Sequence, residues 1–303
     1  MTKRTTAEIV RRAWESRVPV PGFNIPYLPM MEPVVRALRD TRCLGLVMVA
    51  RLEWERFEAG SLRAIREEYE RVKDERFTRL HLDHVPVIDE DNLRVDYLPV
   101  FREAIALGYQ SLMIDGSRLP LAENIAETKK AADVAHEAGL ACEAELGAVL
   151  GHEEGPMPPY EELFTSGKGF TDLDEAKRFV EGTGCDWLSV AIGNVHGAVS
   201  AATRDQKKVA ARLDIEHLKR LREATGIPLV LHGGSGIQQS FVLDAFKNGI
   251  AKINVGTEIR QAYETGLKES GSVEGGQEAV YVKTVWLLKD YFGLAGNAKV
   301  LAG

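Results

Sequence analysis

Asp83-His84, Asp115, Glu143 with Glu145, His232 and Asn254 each fall at or near the end of a short apolar run, and His196 follows another such run by a few residues. Of the seven histidines, His84, His196 and His232 share this kind of position, in the company of four carboxylates. His136 and His217 read as helical, His152 as a loop residue and His81 as the interior of a strand. Neutral imidazoles suit Zn²⁺, and three protein ligands with one open position make a catalytic arrangement. A histidine at a strand end can equally be a hydrogen-bonded polar residue. Spacing alone leaves a metal site and three structural histidines both open. Leu231-His232-Gly233-Gly234-Ser235-Gly236 follows one apolar run and precedes a helical stretch. Such a turn lets backbone N–H groups approach a phosphate at a helix N-terminus, although paired glycines often only close a loop. Asn254-Val255-Gly256-Thr257 offers further donors at the start of the next helix. Glu153-Glu154 lies in a long Gly- and Pro-rich loop. It is either a solvated acidic pair or a general acid/base that arrives when the loop closes.

Residues so far apart in the chain meet only if the elements between them bring them together. Apolar runs are predicted as strands over 18–24, 44–50, 79–84, 111–115, 141–145, 187–191, 228–232 and 251–255. Stretches of helical period alternate with them over 31–39, 62–73, 97–106, 122–137, 173–181, 215–224, 240–248 and 257–268, and one more helix is expected over roughly 278–292. Eight strand–helix units in 303 residues suggest one (β/α)8 TIM barrel domain over 1–303 with an additional C-terminal helix. An open doubly wound sheet is the rival. In a barrel the residues at strand C-termini line one mouth, and the last two strands commonly bind phosphate there. Two irregular stretches are expected, 146–171 and 197–213, the second carrying Arg204, Lys207, Lys208 and Arg212.

With 38 Lys+Arg against 45 Asp+Glu the net charge is −7, which argues against broad nucleic-acid or anionic-membrane binding. Hydrophobic residues at 45% and charged residues at 27% are globular proportions, and no apolar run is long enough to span a bilayer. The first residues read as a charged amphipathic helix rather than a secretion signal. Cys43, Cys142 and Cys185 are odd in number and far apart, which points to buried free thiols and a cytoplasmic location.

These pieces together resemble the class II, zinc-dependent fructose-bisphosphate and tagatose-bisphosphate aldolases. The motifs are PVPGFNI (19–25), HLDH (81–84), SLMIDGSRLPLAENIAETKK (111–130), EAELG (143–147), GHEEG (151–155), the segment 170–197 ending VAIGNVHG, LVLHGGSGI (229–237) and AKINVGTEIR (251–260). They cover nearly the whole chain in order.

The resemblance implies His84, His196 and His232 as zinc ligands, with Asp115 and Glu145 as an alternative zinc position. It implies Asp83 as the acid/base on the aldehyde-derived hydroxyl and Glu153 as the residue moving the proton at the nucleophilic carbon. Asn254 is implied to contact the dihydroxyacetone phosphate portion. Gly197, Gly233, Ser235 and Thr257 are the implied phosphate cradle, where a monovalent cation (Na⁺ or K⁺) often sits, and Asn24 is a further implied substrate contact. The implied reaction is reversible aldol cleavage of a phosphorylated ketose to dihydroxyacetone phosphate and an aldehyde, in a homodimer or homotetramer. Lys252, at the start of its strand, gives no case for a Schiff base.

Two places depart from the family: the loop 197–213 is longer than expected, and the turn after the second strand differs. Where a small polar residue and glycine usually follow the second strand, this chain has Arg51-Leu52-Glu53. Arg51 either holds a second phosphate or carboxylate of the substrate, or pairs with Glu53. Fructose 1,6-bisphosphate, tagatose bisphosphate and another phosphorylated sugar or sugar acid therefore all stay open. A non-catalytic sugar-phosphate-binding barrel is the reading from another class.

Overall fold

In a computed structural model, eight parallel strands close into a barrel: β1 (Val20–Asn24), β2 (Gly45–Ala50), β3 (Thr78–Pro86), β4 (Ser111–Asp115), β5 (Ala141–Leu146), β6 (Trp187–Val190), β7 (Leu229–Leu231) and β8 (Ile250–Val255). Each pairs with its neighbours in sequence order, and β1 pairs with β8. The open-sheet alternative is thereby excluded. The structure describes residues 4–147, 160–194, 211–234 and 236–302. Glu153, His196, Gly197 and Ser235 lie outside the described residues, as does the basic run 204–208.

Strand side chains alternate between the two barrel faces. One face packs against the surrounding helices in a large apolar cluster that includes Phe23, Val47, Leu82, Leu112 and Leu188. The other fills the barrel interior with Val20, Leu46, Met48, Trp187 and Val230, a second cluster that also holds Ile9, Val10 and Ala13. Those three are buried residues of the amphipathic N-terminal helix Thr6–Ser16. That helix begins with a capping box in which the Thr5 hydroxyl accepts from the Glu8 N–H and Glu8 accepts from the Thr5 N–H.

Among the described residues, several helices differ from expectation, the short Ala298–Leu301 among them. Arg51–Arg56 follows β2 directly, and Tyr160–Ser166 forms inside the stretch expected to be irregular. Both are too short to establish a period. The C-terminal helix starts at Val273 rather than 278 and runs to Trp286, where it continues as a π-helical turn, Leu287–Tyr291. Gly275 and Gly276 in its first turn weaken the helical signal, yet a Cβ on Gly266 of the preceding helix would lie 2.6 Å from the Gly275 carbonyl. Glycine is required there because the helices Thr257–Ser270 and Val273–Trp286 approach backbone to backbone.

Candidate active site

Asp83 and His84 are sequence neighbours, and on a regular strand they would face opposite sides of the barrel. The β3–β4 pairing shows how both reach one site. Leu82 lies opposite Leu112 and Val85 opposite Ile114, so β3 fits three steps against two of β4. This bulge carries one extra residue, and His84 adopts φ +27, a conformation rare for a side chain with a Cβ. Backbone strain at that position costs on the order of 1–3 kcal/mol.

Asp83 is buried and held from several directions. Asn24 Nδ2 donates to its Oδ2 at 2.9 Å, and Asn254 Nδ2 donates to Oδ1 at 3.1 Å. Lys252 Nζ stands 3.5 Å from Oδ1, as does His81 Nε2. Burial opposes the charged form, but Lys252, His84, His81 and His232 outweigh it and hold the carboxyl well below its usual range. Asn254 keeps its Oδ1 without a hydrogen-bond partner among the described residues. Buried amide oxygens are seldom left so, and this one suits a ligand hydroxyl.

His232, just past β7, lies between two glutamates of β5. Its Nε2 is 2.9 Å from Glu143 Oε1 and its Nδ1 3.0 Å from Glu145 Oε2. The His84 and His232 ring centres are 4.6 Å apart, and His84 Nδ1 is 3.4 Å from Asp115 Oδ2. One ligand-capable atom from each of Asp83, His84 and His232 falls within a 4.8 Å cluster, and so does one from each of His84, Asp115 and Glu145. Two imidazoles ringed by carboxylates are a donor set that fits Zn²⁺. The charge balance agrees. Burial lowers the basicity of His84, yet Asp83, Asp115 and Glu145 outweigh that and raise its pKa to about 10. The cluster favours positive charge at this point, which a divalent ion on neutral imidazoles supplies. A third cluster, His81–Asp83–Glu143, does not fit a metal, because Lys252 Nζ stands 2.7 Å from Glu143 and already provides the cation.

Gly233 follows His232 with φ +67. A Cβ on Gly234 would lie 2.7 Å from Ile253 Cγ1 and 2.9 Å from the Asn254 carbonyl, so only glycine lets this turn lie against β8. The Gly234 N–H donates to that same carbonyl at 3.1 Å, which ties the turn to the β8 end. Thr257 opens the helix Thr257–Ser270 beside it. A tight glycine turn set beside a positive helix end suits an anion.

The Arg51–Glu53 pairing left open above is not found. Arg51 instead faces Asp89 at 3.5 Å and Glu55 at 3.6 Å. Glu53 is buried and turns back, its Oε2 accepting from the Ala50 N–H at 2.8 Å. A short helix that begins at Arg51 puts the side chains of 51 and 53 on different sides and 51 and 55 on the same one. Burial, reinforced by Asp83, pushes the Glu53 carboxyl up to about 8 despite the Ala50 hydrogen bond. Between the unfolded value of 4.5 and about 8 the folded protein holds a proton that the unfolded chain releases. This group's contribution to stability is therefore complete below the window and is lost as pH rises through it. Glu53→Gln cannot ionise. With metal chelated, it is expected to match the parent protein at pH 5 and to exceed it by roughly 2–4 kcal/mol at pH 9. Paired denaturant titrations check this, and a difference that is constant with pH would refute it.

Lys252 and His81 were not among the expected site residues, and Glu143 was noted only for its strand-end position. A signal for them exists in the sequence: His81/Asp83, Glu143/Glu145 and Lys252/Asn254 are each spaced by two. That spacing places each pair on one face of its strand.

A closed parallel barrel whose C-terminal mouth carries a braced carboxylate, paired histidines and a glycine-rich anion rim defines a (β/α)8 enzyme scaffold. The chain belongs to the class-II fructose-bisphosphate aldolase family, whose sequence pattern matches residues 4–291. YdjI of Escherichia coli strain K12 is 43% identical over 173 residues, a stretch that spans 57% of this chain and 57% of YdjI. The crystal structure of the YdjI aldolase superposes with a TM-score of 0.76 at 28% identity, covering 96% of this chain and 98% of that one. A fructose-bisphosphate aldolase from Campylobacter jejuni gives a TM-score of 0.74 at 18% identity, over 98% of each chain, which supports the fold alone.

Proposed function

We propose that this chain, as one barrel domain over 1–303, is a zinc-dependent lyase that reversibly cleaves a phosphorylated ketose to dihydroxyacetone phosphate and an aldehyde. The observation that carries this reading is the placement of Asp83, clamped by Asn24 and Asn254, beside the His84–His232 pair. His84, His196 and His232 would hold the ion, with Asp115 and Glu145 offering an alternative position. When bound, zinc supplies a Lewis acid for the substrate's carbonyl and hydroxyl oxygens.

The chain's own groups do the rest. Asp83 is ionised and takes the proton from the C4 hydroxyl in cleavage, returning it in condensation. Asn24 and Asn254 fix the direction of that carboxylate, and Asn254 Oδ1 receives a substrate hydroxyl. Gly197, Gly233, Ser235 and Thr257 hold the phosphate, with a monovalent cation (Na⁺ or K⁺) beside it, so that the reacting atoms are placed by the unreacting end. Glu153 exchanges the proton at the carbon that becomes nucleophilic.

Fructose 1,6-bisphosphate, the glycolytic substrate, is the first candidate. Tagatose bisphosphate and phosphorylated sugar acids are the alternatives that Arg51 leaves open. If Arg51 leaves Asp89 and Glu55 for a distal phosphate or carboxylate, Arg51→Ala will raise KM about 10–100-fold for ketoses with a distal anion only. An unchanged KM across a panel of such ketoses assigns Arg51 to structure. The reaction itself is tested by assaying that panel with and without chelator. Cleavage abolished by chelator and restored by zinc is expected. Chelator-insensitive cleavage that borohydride traps would replace this reading with a Schiff-base one.

We place the protein in the cytoplasm, supported by three buried free cysteines. No helix among the described residues is long and apolar enough to cross a membrane. Neither nucleic acid nor membrane is a proposed partner. We also propose a homodimer or homotetramer. Leu267, Val273, Val282 and Trp286 are exposed apolar side chains on the last two long helices, and they support a contact there.

A further inference from the structure

Beneath the site lies a sealed layer of charge. Lys252 is fully buried, and so are Glu143, His81 and Ser111. Glu143 spends both oxygens. Oε2 accepts from Lys252 Nζ at 2.7 Å and from Trp187 Nε1 at 2.5 Å, leaving Oε1 aimed at His232 Nε2 at 2.9 Å. Two donors on one oxygen fix the rotation of the carboxylate, and that rotation fixes the imidazole. If Nε2 donates to Glu143, His232 is left with the lone pair of Nδ1, the nitrogen on the Glu145 side, for a metal. Ligating histidines characteristically donate their other ring N–H to such a carboxylate, and the partner's loss costs about 10–100-fold in metal affinity or activity. The same ammonium faces Asp83 Oδ1 at 3.5 Å. His81, tied to Ser111 Oγ through Nδ1 at 2.8 Å, puts Nε2 3.5 Å from each of Asp83 and Glu143. Among the described residues no other lysine or arginine pairs with either carboxylate.

We infer that Lys252 is a positioning residue that couples the two halves of the site, setting the His232 ring through Glu143 and the Asp83 carboxylate directly. It touches neither substrate nor metal. Its ammonium is the shared counter-charge that lets Glu143 and Asp83 lie close together in the buried interior, where two unpaired carboxylates would repel. This inference rests on the reading of His232 as a zinc ligand and Asp83 as the acid/base.

The test uses zinc itself, titrated against a chromogenic chelator, and the visible d–d spectrum of the cobalt-loaded protein. Lys252→Met leaves two buried carboxylates unbalanced and can cost the fold. The decisive variant is therefore the double substitution Lys252→Met with Glu143→Gln, which removes one charge of each sign. It is expected to melt within a few degrees of the parent, to bind zinc about 10–100-fold more weakly and to shift the cobalt bands, with kcat lowered more than KM. Lys252→Arg restores a cation and is expected to recover zinc affinity to within about threefold. Glu143→Asp, which withdraws the carboxylate by one methylene, serves where the double variant does not fold, and at least about a fivefold loss of zinc affinity is expected of it. Unchanged zinc affinity and cobalt spectrum in the folded double variant, or in Glu143→Asp, overturn the positioning role. His232→Ala run alongside separates the two readings. If it binds zinc like the parent, the ligand assignment fails, whereas a positive His232→Ala result with silent Lys252 variants sinks only the present inference.

Discussion

Asp83→Ala is expected to keep its zinc and to lose about 10³-fold in kcat, with KM changed far less. General acid–base catalysis contributes about 10²–10⁴-fold when the group is positioned for its proton, and Asp83 is positioned with unusual redundancy. Two amides donate to it, a lysine faces it and three imidazoles stand near it. Three of those groups come from β1 and β8, across the barrel closure from the bulge that carries Asp83 itself. A residue needed only for packing would not require that its two oxygens be held separately. Zinc is retained because His84 and His232 keep their own partners, Asp115 and the glutamates of β5. Asp83→Asn is the sharper control, since it preserves shape while removing the base. It should lose kcat to a similar extent, because an amide cannot accept the hydroxyl proton. Metal content and steady-state kinetics measured on the same preparations decide the matter. Zinc loss in Asp83→Ala equal to that in His232→Ala would turn Asp83 from base into ligand.

How far this site is legible in the sequence depends on which physical signal each residue leaves. β4 and the helix Tyr97–Ala106 match the sequence reading at both ends, because a clean apolar run or period is bounded there by polar turns. Asp83, His84, His232 and Asn254 also meet as their strand-end positions require. The sequence does not announce the β3 bulge. Nothing in His-Leu-Asp-His marks the point where alternation breaks, and His84 carries a backbone angle that residue type would not suggest. Lys252 was read by its distance from the strand end, which is the wrong measure for a long side chain. It starts one layer below Asn254 and still reaches Asp83. Of the two readings of Arg51, the pair with Glu53 fails because the helix starting at Arg51 turns side chains two positions apart away from each other. The short helices Arg51–Arg56 and Tyr160–Ser166 go unread because one or two turns are too few to establish a period.

His232→Ala is expected to abolish tight zinc binding and, with it, the stabilisation that zinc confers. The argument is one of linkage. A ligand that binds only the folded state stabilises it by RT ln(1 + [L]/Kd), about 4 kcal/mol at a thousandfold excess over Kd. In a chain of this size that corresponds to a rise in Tm of about 5–10 °C. His232 stands between Glu143 Oε1 and Glu145 Oε2, so its removal deletes an imidazole and also leaves two buried carboxylates facing a gap. The variant's metal-free Tm should therefore fall in its own right, and comparing raw melting points would confuse the two effects. The zinc-induced shift within each protein is free of that confusion. Chelator should bring the parent down by the full increment and leave His232→Ala unmoved. A zinc shift of equal size in both would mean that the ion is held elsewhere, with Asp115 and Glu145 beside His84 the first place to look, since those side chains form a cluster of their own without His232.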